Sequence, residues 1–228
     1  MFASLAAIAI AYLIGSVPVA YLAGRASGAD LRERGSGNVG ASNVGESISR
    51  RLMVAVGLVQ IAQGLAAVLV ARAFDAGDGV QAACGVAAVL ANDWNPWLRF
   101  AGGRGIGTTI GVLLALSPWA LGAFVVIAVA GAIVRTVPQG MALALIATPV
   151  AAVIARDDAA VIVCCALLAA IALVKRVLAN GAPDAAAPRP DVWMWRLLFD
   201  RDVRDRDSWV RRGATGAPRR RGDAEIDL

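Results

Sequence analysis

The sequence predicts an all-α, polytopic membrane protein of about seven transmembrane helices, with its N-terminus outside and its C-terminus cytoplasmic. Three observations predict this fold class. The 228 residues are 58% hydrophobic, and their mean hydropathy is +0.65, which is more apolar surface than a soluble domain of this length buries. The apolar residues gather in successive runs. The positive residues gather in the connections between alternate runs.

The apolar runs are the candidate membrane helices. The first, residues 2–24, has no positive residue before Arg25, which is the reverse of a secretory signal peptide. The frequent small residues suit helices that pack closely in lipid. Several runs are shorter than the ~20 residues of a straight crossing, so their boundaries extend into the connections. The later runs are residues 52–71, 79–90, 106–116, 119–134, 140–155 and 159–174.

Arginine and lysine set the predicted orientation. Successive connections lie on opposite sides of the membrane. Of the positive residues in these connections, only Arg72 and Arg156 fall on one side, and all the others fall on the opposite side. The positive-inside rule makes the other side cytoplasmic and accounts for the net charge of +5 without a nucleic acid partner. The cytoplasmic set is Arg25, Arg32, Arg34, Arg50, Arg51, Arg99, Arg104, Arg135, Lys175 and Arg176.

The chain divides into a membrane domain, residues 1–178, and a cytoplasmic tail, residues 179–228. From about residue 180 the composition changes to Pro, Ala, Asp and Arg, and the apolar periodicity stops. Within the tail, residues 192–212 begin apolar and continue charged, a pattern that favours an amphipathic helix on the membrane surface. A loosely ordered tail with an apolar patch is an equally open interpretation. The basic residues 219–221 favour contact with anionic lipid.

The composition restricts the chemistry. The chain has no histidine, so it lacks the usual general base and the commonest metal ligand. Cys84, Cys164 and Cys165 lie inside apolar runs and match no zinc or redox spacing, so we interpret them as packing residues. We therefore expect neither a metal nor a cofactor.

The first polar connection, residues 30–43 (DLRERGSGNVGASN), has the composition of an anion-binding loop. Its glycines allow backbone N–H groups to turn toward an anion, its arginines add charge, and its serines and asparagines add neutral hydrogen-bonding groups. A flexible connector is the alternative. We expect a phosphate site, with Ser36 and Asn38 as catalytic residues. The substrate-binding candidates are Arg32, Arg34, Gly35, Gly37, Gly40, Ser42 and Asn43.

The second polar connection, residues 101–109 (AGGRGIGTT), repeats this chemistry. It precedes a predicted helix, whose N-terminus attracts anions, and Arg104 is suited to bind a phosphate through two hydrogen bonds. Two such connections on one side of the membrane indicate a substrate with two anionic groups, or two anionic substrates. Arg104 is the catalytic candidate here. The substrate-binding candidates are Gly102, Gly103, Gly105 and Thr108.

These connections resemble those of the bacterial acyl-phosphate:glycerol-3-phosphate acyltransferases, the PlsY family. The Gly-Ser-Ile-Pro pattern of the family matches residues 15–18. Its Gly-Ser-Gly-Asn loop matches residues 35–43, with Ser42 in place of threonine. Its Phe/Trp-x-Pro and Gly-Gly-Lys-Gly patterns match residues 94–96 and 102–105, with Arg104 in place of lysine. The resemblance covers roughly residues 10–178.

The resemblance implies a seven-helix enzyme of the bacterial plasma membrane that acts among membrane lipids. Such an enzyme moves a fatty acyl group from acyl phosphate to the 1-hydroxyl of glycerol 3-phosphate, giving lysophosphatidic acid for phospholipid synthesis. In this family the phosphate of the substrate is thought to assist deprotonation of the attacking hydroxyl. A chain without histidine is compatible with that mechanism.

Several polar positions of the family differ in this chain. Ala91 and Asn92 replace a Gly-His pair, and Gln60 and Gln63 fall within its Asp-x-x-Lys-Gly segment. Two hypotheses stay open: an acyltransferase whose remaining loops hold both phosphates, and a catalytically silent paralogue that binds lipid or a phosphometabolite. A transporter is disfavoured because the apolar runs contain few ionisable residues. The later polar positions of the family are occupied by Pro138, Met141, Ala170 and Leu173.

Overall fold

The computed structural model describes residues 1–180 and 190–200, and within these ranges it contains helices and no strand. A 3₁₀ turn, Pro96–Leu98, lies between α5 and α6. The all-helical prediction is confirmed. The helices are α1 Phe2–Ser16, α2 Val19–Ala26, α3 Ala41–Ser47, α4 Arg50–Ala73, α5 Asp78–Asp93, α6 Ile106–Leu116, α7 Pro118–Ile133, α8 Val137–Ala155, α9 Ala159–Leu178 and α10 Pro190–Phe199.

Each predicted apolar run coincides with helix, the first being divided between α1 and α2. Four segments are long and apolar enough to cross a membrane: Phe2–Ala26, Arg50–Ala73, Val137–Ala155 and Ala159–Leu178, while α6 and α7 are apolar but shorter. The number of crossings and their direction stay predictions. Large apolar side chains are exposed on the outer faces of these helices, as a lipid-facing surface requires; they include Leu58, Val126, Ile154 and Val163.

A break divides the first membrane segment at Pro18, which cannot donate the N–H that the carbonyl oxygen of Ile14 would otherwise accept. The side chain of Gln63 on α4 supplies hydrogen bonds to the carbonyl oxygens at this break. Its amide donates to the carbonyl oxygens of Ile14 at 2.7 Å and Val17 at 3.0 Å. The amide of Asn95 donates to the carbonyl oxygen of Ser16 at 2.7 Å. Gln63 therefore bonds the neighbouring first membrane segment.

Glycines allow the helices to approach closely. A Cβ atom added to Gly64 of α4 would overlap the carbonyl oxygen of Thr108 on α6, and one added to Gly111 of α6 would overlap the carbonyl oxygen of Ile61. The two helices consequently touch through their backbones, a packing mode typical of membrane helices. A similar approach joins Gly15 of α1 to α5.

The polar connections gather at one end of the bundle, where α4, α6 and α8 begin and α5, α7 and α9 end. A separate apolar cluster fastens the first connection there; it comprises Ala20, Leu31, Val39, Val44, Val56 and Leu98. Helix α10 lies at the same end and packs on α9 and α8. It overlaps residues 192–199 of the segment predicted to be an amphipathic surface helix; that role stays a prediction, and residues 201–212 fall outside the described ranges. The predicted boundary between membrane domain and tail remains a prediction.

Candidate active site

Asn43 gives the first polar connection its shape. Its side chain is buried in the first turn of α3, a short helix that the sequence did not predict. The amide nitrogen donates to the carbonyl oxygens of Leu31 at 3.0 Å, Arg34 at 3.0 Å and Asn38 at 2.8 Å. The amide oxygen accepts from the hydroxyl of Ser47 at 3.0 Å. Asn43 therefore positions the loop, and both ends of its amide are engaged by the protein.

The two polar connections meet directly. The N–H of Val39 donates to the carbonyl oxygen of Gly102 at 3.1 Å. The amide of Asn180, just beyond α9, donates to the carbonyl oxygens of Gly37 at 3.2 Å and Gly102 at 2.8 Å. Its amide oxygen accepts the N–H of Gly102 at 3.4 Å. Both glycine-rich connections and the end of α9 thus form one site, in which sequence analysis missed Asn180.

Three positive side chains converge beside this junction: Arg104 from the second connection, and Lys175 and Arg176 from α9. Asp200, the residue after α10, lies between the arginines, with one carboxylate oxygen 2.6 Å from Nη1 of Arg104 and the other 3.2 Å from Nε of Arg176. The ammonium of Lys175 lies 5.1 Å from the ring centre of Trp94, a cation–π contact. Burial lowers the pKa of Arg104, but an arginine stays charged at neutral pH.

Buried polar atoms lie beneath the second connection. The amide oxygen of Asn92 and both carboxylate oxygens of Asp93 have no hydrogen-bond partner among the residues that the structure describes. A Cβ atom on Gly103 would lie 2.7 Å from the Asn92 amide oxygen, and one on Gly105 would lie 2.8 Å from the Asp93 carboxylate. A side chain at either position would therefore displace these oxygens, and the positive φ of Gly105, 61°, further favours glycine there. The unpaired oxygens are available to a hydroxyl or N–H donor.

A narrow cleft lies under the junction of the two connections and is too tightly packed to admit a water molecule. Gln60, Asn92 and Asn95 supply its polar wall, and Val39 and Gly102 lie at its loop side. The remaining lining residues are Pro18, Val19, Ala20 and Leu98. This cleft connects the glycine-rich loops with the buried amides of α4 and α5.

The other candidates of the first connection occupy different places. Arg32 pairs with Asp30 at 2.7 Å and lies over the ring of Tyr21; this hydrogen bonding lowers the pKa of Asp30. Arg34 is exposed. The side chain of Ser36 accepts the N–H of Asn38 at 3.4 Å. Asn38 is buried beside the loop junction.

The remaining candidates are the glycines of the first connection and two hydroxyl residues, Ser42 and Thr108. Gly35 and Gly37 have positive φ values of 54° and 66°, which favour glycine. Gly40 precedes α3, and the exposed Ser42 lies in its first turn. Thr108 is fully buried in α6 against Gly64 of α4. It therefore lies in the helix packing, whereas Asn38, Gly102, Gly103, Arg104 and Gly105 surround the junction.

The fold and this site define an integral membrane protein with a cluster of positive side chains and two glycine-rich connections at one end of a helical bundle. The family model described as glycerol-3-phosphate acyltransferase matches residues 5–180. The chain therefore belongs to the glycerol-3-phosphate acyltransferase family, as the resemblance of its two connections predicted. Membership identifies it as a membrane enzyme of this family, and the silent-paralogue alternative is not favoured.

Similar proteins carry the same description. A glycerol-3-phosphate acyltransferase of Geobacter sulfurreducens is 39% identical over 142 residues, which are 62% of this chain and 73% of the relative. One from Trichlorobacter lovleyi is 34% identical over 176 residues, which are 77% of this chain and 91% of the relative. A solved structure of PlsY (YgiH), an integral membrane glycerol 3-phosphate acyltransferase in its glycerol 3-phosphate form, superimposes with a TM-score of 0.72 at 27% identity. That match covers 76% of this chain and 88% of PlsY.

Proposed function

We propose that this chain transfers a fatty acyl group from acyl phosphate to glycerol 3-phosphate at the cytoplasmic face of the bacterial plasma membrane. The observation that carries the proposal is the direct contact between the two glycine-rich connections, with Arg104 beside it. Two loops suited to phosphate, joined at one site, match a reaction between two phosphorylated substrates.

Each connection holds one phosphate in this proposal. Asn38, Ser36 and the neighbouring glycine N–H groups bind the first, and Asn43 keeps that loop in shape through its three carbonyl contacts. Arg104 and the first N–H groups of α6 bind the other. Arg176 lies across Asp200 from Arg104 and adds positive charge at the same place. Arg32 acts only at a distance, because Asp30 already neutralises it.

The reaction needs charge stabilisation more than a side-chain base. The hydroxyl oxygen of glycerol 3-phosphate attacks the acyl carbonyl carbon, and the bond from that carbon to the phosphate oxygen of the donor breaks. Inorganic phosphate departs, and the hydroxyl proton passes to a phosphate oxygen. The cationic group of Arg104 stabilises the charge that develops on the departing phosphate.

An apolar groove next to the arginines suits the acyl chain. It has a volume of about 250 Å³ between α9 and α10, and the described residues that line it are all apolar. Arg176 is on the same helix, between the groove residues Val174 and Val177 in sequence. The acyl chain would enter this groove from the lipid while its phosphate reaches Arg104. The lining residues are Leu173, Val174, Val177, Leu178 and Leu197.

The test is acyl transfer in membranes that lack any other glycerol-3-phosphate acyltransferase. Arg104→Gln should reduce the rate at least 100-fold, because a charged contact to the leaving phosphate is lost. Arg156→Gln is the matched control, since Arg156 is an exposed arginine at the other end of the bundle. Asn38→Ala should raise the KM for one phosphorylated substrate. Full activity of Arg104→Gln would remove Arg104 from the site, and an inactive but correctly inserted wild type would refute the function.

A further inference from the structure

Helix α10 lies outside the segment that the family shares. The family model ends at residue 180, whereas α10 spans Pro190–Phe199. The helix is nevertheless fastened to the site by reciprocal contacts. Arg176 of α9 donates to the carbonyl oxygen of Leu197 at 3.2 Å. Arg196 of α10 donates to the carbonyl oxygens of Val177 and Leu178 at 3.3 Å and 3.1 Å.

This docking carries a carboxylate onto the arginines of the site. Asp200 follows the last turn of α10 in a left-handed conformation, with φ at 59°, and its N–H donates to the carbonyl oxygen of Arg196 at 3.0 Å. Its two carboxylate oxygens are divided between Arg104 and Arg176 at 2.6 Å and 3.2 Å. A carboxylate that contacts two guanidinium groups uses the donors that a phosphate would use.

We propose that α10 is a built-in competitor, whose Asp200 occupies the anion site and must be displaced before a substrate phosphate binds there. The proposal rests on the proposed role of Arg104 in binding phosphate. A tethered carboxylate competes at an effective concentration in the millimolar range, so it opposes a free ligand without high intrinsic affinity. A phosphate displaces it because phosphate carries more negative charge and more acceptor oxygens.

The expected size of the effect follows from the occupancy of the docked state. A helix that is docked about nine-tenths of the time raises the apparent Kd for phosphate about tenfold, because only the undocked fraction is competent to bind. The same docking closes the apolar groove on one side with Leu197. Undocking therefore frees the anion site and removes the α10 wall of the groove, so that the acyl chain then packs against the α9 residues of the groove.

Binding of inorganic phosphate to the purified full chain, measured by titration calorimetry, tests the proposal without requiring catalysis. Asp200→Asn keeps the shape and the left-handed backbone while it removes the charge, and it should tighten binding about tenfold. Asp75→Asn is the matched control, because Asp75 also has a positive φ, 49°, and lies in the α4–α5 connection at the opposite end of the bundle. It should bind phosphate as the wild type does.

A second variant separates displacement of the helix from a general change in charge. Arg196→Gln removes a positive charge but loosens the docking of α10, so the proposal expects tighter phosphate binding. A simple electrostatic effect would produce weaker binding. Unchanged or weaker binding by Asp200→Asn, weaker binding by Arg196→Gln, or no binding by any variant would each overturn the proposal. Acyl transfer by the wild type, measured in parallel, shows separately whether the proposed function stands.

Discussion

Replacing Gly64 by alanine tests how the helix packing positions the site. The added Cβ atom would overlap the carbonyl oxygen of Thr108, well inside the 3.0 Å that real Cβ contacts keep. The atoms it meets belong to the backbone of α6, so no side chain can move aside to make room. Helices α4 and α6 must therefore separate by about 1 Å. Such overpacking costs about 1–3 kcal/mol. Because Arg104 lies two residues before the start of α6, the same displacement moves the proposed phosphate ligand, and a 1 Å misplacement costs about 100-fold in rate.

Thermal unfolding in detergent and acyl transfer in membranes measure the two consequences of Gly64→Ala. A loss of about 1–3 kcal/mol corresponds to a decrease in melting temperature of roughly 2–12 °C for a chain of this size. Gly122→Ala is the matched control, because a Cβ atom on this α7 glycine meets nothing within 4 Å. It should leave the rate unchanged and, since alanine favours helix, leave stability equal or slightly higher. Wild-type stability and activity of Gly64→Ala would refute the backbone contact.

Three further changes address the loops. Asn43→Asp places a carboxylate against three carbonyl oxygens and should lower the melting temperature strongly; a normal melting temperature with weakened glycerol 3-phosphate binding would instead make Asn43 a substrate ligand. Asn180→Ala removes the hydrogen bonds that join the two connections. It should raise the KM for a phosphorylated substrate, measured by steady-state kinetics, while stability stays nearly unchanged. Asp30→Asn removes the partner of Arg32. Because that pairing lowers the folded-state pKa of Asp30, its stabilisation is complete above the unfolded pKa of about 3.9 and disappears as the pH falls through the lower folded value. Melting curves of Asp30→Asn and wild type should therefore differ equally from pH 5 to pH 8 and converge in stronger acid.

The helices were predictable because the membrane imposes a simple requirement on sequence. Each crossing needs a continuous apolar run, and such runs are visible without knowledge of the tertiary contacts. The short α3 was not predictable, because Gly, Ser and Asn around Asn43 are typical of a turn. The helix depends on the hydrogen bonds that the buried Asn43 side chain donates to carbonyl oxygens of the preceding loop. Local pattern describes the lipid-facing part of the chain better than its polar end.

The composition of the site was predictable only where the ligand chemistry is local. Glycines with arginine or asparagine within a few residues are typical of a phosphate loop, so the sequence named Asn38 and Arg104 as candidates, and both lie at the junction of the two connections. Asn180 was missed because a lone asparagine after the last helix carries no local signal, and its partner Gly37 is 143 positions away in sequence. Arg176 was recognised only as a charge that orients the membrane domain. Its contact with Asp200 depends on how α10 folds back onto α9.

The break at Pro18 has a consequence for biogenesis. When the first segment leaves the ribosome, the carbonyl groups of Ile14 and Ser16 lack the partners that the finished protein gives them, and unpaired carbonyls are costly in hydrocarbon. Gln63 emerges 49 residues after Ile14, and Asn95 emerges 79 residues after Ser16. The first segment therefore gains by remaining at the insertion machinery, or at the lipid interface, until α4 arrives. We expect the N-terminal segment to enter the bilayer together with α4 as a pair, so that the order of synthesis is part of how this bundle is assembled.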